Sequence, residues 1–194
     1  MQNLGFYFEL GWHHIISKDA LDHLLFVLVL SAVYLVGDWK KVLVLITAFT
    51  FGHSLTLILS IVDVIRVNST VVEFLIPVTI IITALFNLWQ KEPDLRTLQR
   101  NYFLAFFFGL IHGLGFANAI RFMMEQGDSV GMNLLGFNLG LEAGQIVVVA
   151  FILLLSFLLV NKAGLKRGWW VKILSVTGMV LAGKMVWERF STLF

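Results

Sequence analysis

The sequence predicts an all-α membrane protein, a single domain in which six transmembrane helices form a bundle. Hydrophobic residues make up 59% of the 194 positions and charged residues only 13%, whereas a soluble domain carries about 25% charged residues. Apolar runs of membrane-spanning length recur along the chain, and no stretch is typical of a linker or of a separate soluble module. Residues 1–194 are therefore expected to form one integral membrane domain.

Six apolar runs approach the roughly 20 residues that a spanning helix needs. They cover residues 20–36, 42–62, 71–89, 102–124, 132–160 and 169–190. The fifth run is long enough to tilt in the bilayer or to begin as an interfacial turn. Residues 1–18 are too short and too polar to span, so we expect a short amphipathic or re-entrant segment lying on the bundle.

The basic residues predict the orientation of the bundle. They concentrate in the first, third and fifth connections between the predicted spans, whereas the second and fourth connections are nearly balanced in charge. Cytoplasmic loops are enriched in Lys and Arg, so both termini are expected outside the cytoplasm. The three basic connections carry Lys40, Lys41, Lys91, Arg96, Arg100, Lys162, Lys166 and Arg167. The small net charge of +2 gives no sign of a nucleic-acid-binding face.

Four of the predicted spans carry polar or ionisable residues on their outer halves. Asp19, Asp22 and His23 share one face of the first span, because they are spaced i, i+3 and i+4. His53 lies beyond the midpoint of the second span, and His112 lies near the middle of the fourth. The remaining polar positions on these helices are Thr50 and Ser54 on the second span and Asn138, Glu142 and Gln145 on the fifth.

The residue types indicate a metal site rather than packing alone. Ionisable side chains inside a membrane are costly and usually face a protein interior or a wet cavity. Imidazole is the commonest side-chain ligand for transition metals, and the chain contains no cysteine that could supply a thiolate. A set of nitrogen and oxygen ligands suits Ni²⁺, Co²⁺ or Zn²⁺. The sequence thus predicts a divalent cation as cargo or as bound ion, with the lipid bilayer as the main partner.

Three functions remain open from the residues alone. The first is a permease for Ni²⁺ or Co²⁺. The second is an intramembrane zinc-dependent hydrolase that uses the same histidines and aspartates. Ser54 could alternatively be a nucleophile, but the adjacent His53 is poorly placed to activate it, so a different histidine such as His112 would be needed. The third is a metal sensor or an accessory subunit. The stripe of Thr79, Thr83 and Asn87 is interpreted as packing between helices. A homo-oligomer is left open.

Four segments in series resemble the motif set of the HupE/UreJ family. They read HIISKDALDHLLF, ITAFTFGHSLTL, FGLIHGLGFA and FNLGLEAGQ. The resemblance covers His14 to Gln145, and one departure is SKDALDH, where Ser17 and Lys18 stand in place of an expected glycine. The family consists of small multi-pass proteins of the bacterial inner membrane that are regarded as nickel or cobalt permeases. The resemblance implies that the functional positions are His14, Asp22, His23, His53, His112, Asn138, Glu142 and Gln145.

The hypothesis is a cation permease loaded from the extracytoplasmic side. The expected metal ligands are His14, Asp22, His23, His53, His112 and Glu142. The expected supporting or pathway residues are His13, Asp19, Thr50, Ser54, Asn138 and Gln145.

Overall fold

The computed structural model describes residues 2–17, 20–89, 95–123 and 130–191, and within these ranges it contains helices and no strand. The all-α prediction is confirmed. Five of the helices are long and apolar enough to cross a membrane, and their positions agree with the last five predicted spans to within a few residues. The helices are α1 (Gln2–Ile16), α2 (Leu21–Ser31), α3 (Trp39–Ile61), α4 (Ser69–Trp89), α5 (Leu95–Met123), α6 (Val130–Ser156) and α7 (Arg167–Phe190).

The first predicted span is not one continuous helix. Helix α2 has 11 residues, which is about 16 Å at 1.5 Å per residue, roughly half of the hydrocarbon core. The chain then turns and enters a short 3₁₀ segment at Val36–Asp38. The Arg167 guanidinium donates a hydrogen bond of 2.8 Å to the carbonyl oxygen of Val33. This contact satisfies a backbone group just beyond α2. The predicted span over 20–36 is therefore helical only over Leu21–Ser31 before the chain turns.

The N-terminal segment is a 15-residue helix packed lengthwise against α6. Three glycines of α6, one turn apart, let the two backbones touch. A Cβ at Gly140 would collide with the carbonyl oxygen of Phe8. The matched positions advance in the same direction along both helices, so α1 and α6 run parallel. The contacts pair Leu4 with Gly136, Phe8 with Gly140, and Ile15 with Gly144.

Glycines also bring α3 against α5. A Cβ at Gly109 would meet the carbonyl oxygen of Phe49, and a Cβ at Gly113 would meet the carbonyl oxygen of His53. These close approaches place the middle of α3 beside the middle of α5. His53 and His112, one on each helix, are therefore held at the same depth of the bundle.

Helix α2 is enclosed by α4 and α7. The Asn87 side chain on α4 donates a hydrogen bond of 2.6 Å to the carbonyl oxygen of Val29. Val29 also packs against Gly178 on α7, where a Cβ would collide with its side chain. Near the start of α2, Arg189 of α7 reaches Asp22. Successive residues of α2 thus meet earlier residues of α7, so these two helices are antiparallel.

Candidate metal centre

Three histidines from three helices converge at the middle of the bundle. His14 lies near the end of α1, His23 in the first turn of α2, and His53 in α3. One ring nitrogen from each lies within 4.8 Å of the others. Nitrogen ligands on a tetrahedral metal, with bonds of about 2.0–2.1 Å, are about 3.4 Å apart. Modest side-chain movement would therefore bring one nitrogen of each residue into a ligating position. His14, His23 and His53 are called the histidine triad below.

Five ring nitrogens of these histidines and of His112 are buried without a hydrogen-bond partner among the described residues. His14 and His23 each leave Nε2 unpartnered, His53 leaves both ring nitrogens, and His112 leaves Nδ1. A buried polar atom without a partner costs about 1–3 kcal/mol. His53 and His112 are fully buried, so bulk water does not reach them. A cation bound between the rings would satisfy one nitrogen of each ring, the one that carries the lone pair.

The carboxylate of Asp22 sets which nitrogen of His23 is free. Its Oδ1 lies 2.9 Å from His23 Nδ1. An ionised carboxylate only accepts hydrogen bonds, so Nδ1 carries the proton and Nε2 keeps its lone pair. Carboxylates commonly orient metal-binding histidines in this way and raise their basicity. His23 is therefore in the tautomer that a metal requires.

Thr79 sets which nitrogen of His112 is free. The Thr79 hydroxyl donates a 2.6 Å hydrogen bond to the carbonyl oxygen of Ile76. Its oxygen lies 3.1 Å from His112 Nε2, and since its proton is already used, it accepts from Nε2–H. The lone pair of His112 then lies on the unpartnered Nδ1. The His112 and His23 ring centres are 5.0 Å apart, so His112 is a fourth imidazole beside the triad.

Aromatic rings enclose the histidines. His14 lies 4.2 Å from Phe116 between ring centres, and His53 lies 6.1 Å from Phe137. On the opposite side, His112 lies 5.1 Å from Phe49. This apolar surrounding lowers the local dielectric and strengthens any electrostatic contact made there.

A cavity of about 310 Å³ leads to the histidines. Glu73 of α4 and Arg189 of α7 lie at its wall beside Asp22. Arg189 donates to Asp22 Oδ2 at 3.2 Å and to the carbonyl oxygen of Glu73 at 2.6 Å. The cavity, called the vestibule below, therefore lies toward the start of α4 and the end of α7. Its lining includes His14, Asp22, His23, Glu73, His112 and Arg189.

Glu142 and its polar neighbours lie at a different place, the contact between α3 and α6. The Thr47 hydroxyl donates a 2.6 Å hydrogen bond to Glu142 Oε1. One turn further along both helices, Thr50 donates to Gln145 Oε1 at 2.9 Å. Neither the triad nor the described lining of the vestibule includes Glu142. The structure therefore groups four histidines and Asp22, and it places Glu142 in a hydrogen bond with Thr47.

The other predicted positions have distinct surroundings. The Ser54 hydroxyl donates to the carbonyl oxygen of Thr50 at 2.6 Å, so it forms no pair with a histidine of the kind that activates a nucleophile. Asn138 has a buried Oδ1 without a partner. His13 is exposed, and Asp19 lies outside the described residues.

Sequence reasoning missed several residues that complete the site. Thr79 was interpreted as packing, and only its contact with His112 reveals its role. Arg189 lies 167 residues from Asp22, so no local pattern could connect the two. Glu73 gave no signal in the sequence beyond its position near a span end.

Comparison with known proteins agrees with the motif set. Neither the curated proteins nor the solved structures gave a significant match. The family model described as "HupE / UreJ protein" matches residues 1–189, which is nearly the whole chain and includes α1 to α6 and all but the last residue of α7. Family membership and the five long apolar helices indicate a multi-pass membrane protein. The chain belongs to the HupE/UreJ family.

Proposed function

We propose that this protein is a permease for a divalent transition-metal cation, with Ni²⁺ or Co²⁺ as the cargo. The observation that carries the proposal is the histidine triad of His14, His23 and His53, contributed by three helices and rich in unpartnered nitrogens. The HupE/UreJ family is associated with nickel and cobalt transport, which favours transport over hydrolysis. The Ser54 hydrogen bond to its own helix also gives no support to a hydrolase with Ser54 as the nucleophile.

The ligand chemistry suits these metals. The triad offers neutral nitrogen ligands, and the cysteine-free chain offers no thiolate. Imidazole binds Ni²⁺, Co²⁺ and Zn²⁺ well. Ligand type alone does not separate these three ions, so the preference for Ni²⁺ or Co²⁺ rests on the family.

The vestibule suits the capture of a cation. Asp22, Glu73 and Arg189 line it, and since Arg189 is paired with Asp22, Glu73 leaves the wall with a net negative charge that attracts a cation. The basic connections lie at the other end of α4 and α7, so the positive-inside rule places the vestibule on the extracytoplasmic side of a bacterial inner membrane. Asp19 and His13 are proposed to contribute to this approach.

Coordination would then use the buried groups. His14, His23 and His53 take the ion, His112 offers Nδ1 from the adjacent position, and Asp22 holds His23. Glu142 is proposed to supply negative charge from the α3–α6 contact, with Thr50, Ser54, Asn138 and Gln145 supporting that contact. Helix α1 ends beside the triad, and helix α2 begins beside it. Interrupted helices at the binding site recur in secondary transporters.

The test is Ni²⁺ uptake into proteoliposomes by the full chain. We expect His53→Ala to abolish uptake and weaken Ni²⁺ binding, because it removes a fully buried ligand. His13→Ala is the comparison variant, since it removes an exposed imidazole from the proposed approach rather than from the triad. It should preserve Ni²⁺ binding by the purified protein even where it slows uptake. Undiminished uptake in His53→Ala, or equal loss of binding in both variants, would refute the proposed site.

A further inference from the structure

A buried polar stripe runs along α4, away from the vestibule. Thr79, Thr83 and Asn87 are spaced four residues apart, so they lie on nearly one face of the helix. Their exposed fractions are 3%, 7% and 5%. The stripe begins at the hydrogen bond between Thr79 and His112, and its last residue lies about 12 Å further along α4.

Each residue of this stripe donates a hydrogen bond to a backbone carbonyl group. Thr79 donates to Ile76, Thr83 donates to Thr79 at 2.8 Å, and the Asn87 amide donates to Val29 at 2.6 Å. The Thr83 hydroxyl oxygen and the Asn87 amide oxygen keep lone pairs for other contacts. These two oxygens could therefore contact a cation.

A small cavity lies beside the stripe between α2, α4 and α5. Thr83, Asn87 and Asn101 are its polar lining, and Asn101 donates a 3.1 Å hydrogen bond to the hydroxyl of Tyr34. Its volume is about 10 Å³, which is room for about one water molecule. Leu30, Phe86 and Leu104 form the rest of its wall, which is mostly apolar. The three polar side chains are therefore the groups that could contact a water, or an ion that has lost most of its hydration shell, in this cavity.

Vestibule, histidines and cavity follow one another along α4. Glu73 and Ile76 line the vestibule, Thr79 contacts His112, and Thr83 and Asn87 line the small cavity. The cavity therefore lies on the far side of the histidines from the vestibule. A transported ion must leave the site on that side.

We propose that the stripe of Thr83 and Asn87, continuing to Asn101, is the exit path of the cation from the histidine cluster. This inference rests on the proposed transport function and names the route through the second half of the bundle. Neutral hydroxyl and amide oxygens bind a transition-metal ion more weakly than imidazole. A weak site after a strong one allows the ion to leave, as conduction requires.

The rival interpretation is that the stripe only joins helices. The two interpretations differ in what Thr83→Val changes. Valine preserves the shape of the side chain and removes its oxygen. If the stripe is packing, stability falls and transport by the folded protein persists; if it is the exit path, transport falls while binding persists.

The experiment compares Ni²⁺ binding and Ni²⁺ uptake in proteoliposomes for wild type, Thr83→Val and Thr83→Ser. We expect Thr83→Val to bind Ni²⁺ with wild-type affinity and to take it up about tenfold more slowly, and Thr83→Ser to restore uptake. Thr56→Val is the matched control, because Thr56 is equally buried and also bonds backbone carbonyl groups. Its uptake should be unchanged.

Asn87→Leu provides a second variant should Thr83→Val fail to fold, and it should show the same separation of binding from uptake. Wild-type uptake by Thr83→Val or Asn87→Leu would overturn the exit path while leaving the permease intact. Equal slowing by Thr56→Val would overturn it as well. A wild-type protein that neither binds nor transports Ni²⁺ would overturn the proposed function itself, and the path with it.

Discussion

Replacing Asp22 by Asn tests the support of the metal site most directly. Asp22 uses its two carboxylate oxygens for two partners: Oδ1 accepts from His23 Nδ1 at 2.9 Å, and Oδ2 accepts from Arg189 at 3.2 Å. An asparagine has one oxygen and an NH₂ group that only donates. The variant therefore loses one of the two contacts and sets a donor against either His23 or Arg189.

The expected magnitude follows from the part that Asp22 plays. Mutation of a group that orients a metal-binding histidine typically weakens metal affinity about 10- to 100-fold, which corresponds to about 1.4–2.7 kcal/mol. Asp22 is nine-tenths buried, with 8% of its surface exposed, so water cannot replace the lost contact easily. We expect the Ni²⁺ affinity of Asp22→Asn to fall within that range.

The assay is titration of Ni²⁺ into the purified full chain in detergent. Asp63→Asn is the matched control: it removes the aspartate of an ion pair with Arg66 on the exposed connection between α3 and α4, and it should bind Ni²⁺ like wild type. Unchanged Ni²⁺ affinity in Asp22→Asn would refute the proposal that the charged carboxylate of Asp22 supports metal binding by His23. Equal weakening in both variants would show a general effect of lost negative charge.

Two further predictions concern the helices that carry the ligands. Gly140→Ala should lower the free energy of unfolding by about 1–3 kcal/mol, because its Cβ meets the Phe8 carbonyl oxygen. Thermal unfolding in detergent measures this loss. Gly183→Ala is the control and should show no loss, because a Cβ there has open space. Thr79→Val should weaken Ni²⁺ binding, because the buried Nε2–H of His112 loses its acceptor at a cost of about 1–3 kcal/mol. Unaltered Ni²⁺ titration in Thr79→Val would contradict the assigned tautomer.

The helix pattern was predictable because hydrocarbon length and apolar runs are local properties. The second to sixth predicted spans match α3 to α7, and residues 2–16 form α1, a helix distinct from α2. The end of α2 was not predictable. Residues 32–36 read AVYLV, an apolar run with no glycine or proline, so nothing in the composition marks the turn that follows Ser31.

The candidate site was also predictable only in part. The assignment of polar residues to the outer halves of their helices stays a prediction, and the structure brings His14, His23 and His53 together. The partner of each polar residue could not be assigned, since Glu142 bonds Thr47 and Asp22 bonds Arg189 across large sequence separations. Hydropathy indicates whether a residue avoids lipid. The hydropathy of a residue carries no information about which other side chain that residue contacts.

The sequence by itself therefore determined that this is a helical membrane protein with a series of histidine motifs and no thiolate ligand, because each of these is a property of residue type and spacing. Only the tertiary structure decided that the first apolar run breaks after α2, that α1 docks on the glycines of α6, and which ring nitrogens remain free. Those outcomes depend on contacts between distant helices, such as Arg167 with Val33 and Thr79 with His112, and such contacts exist only once the bundle is assembled.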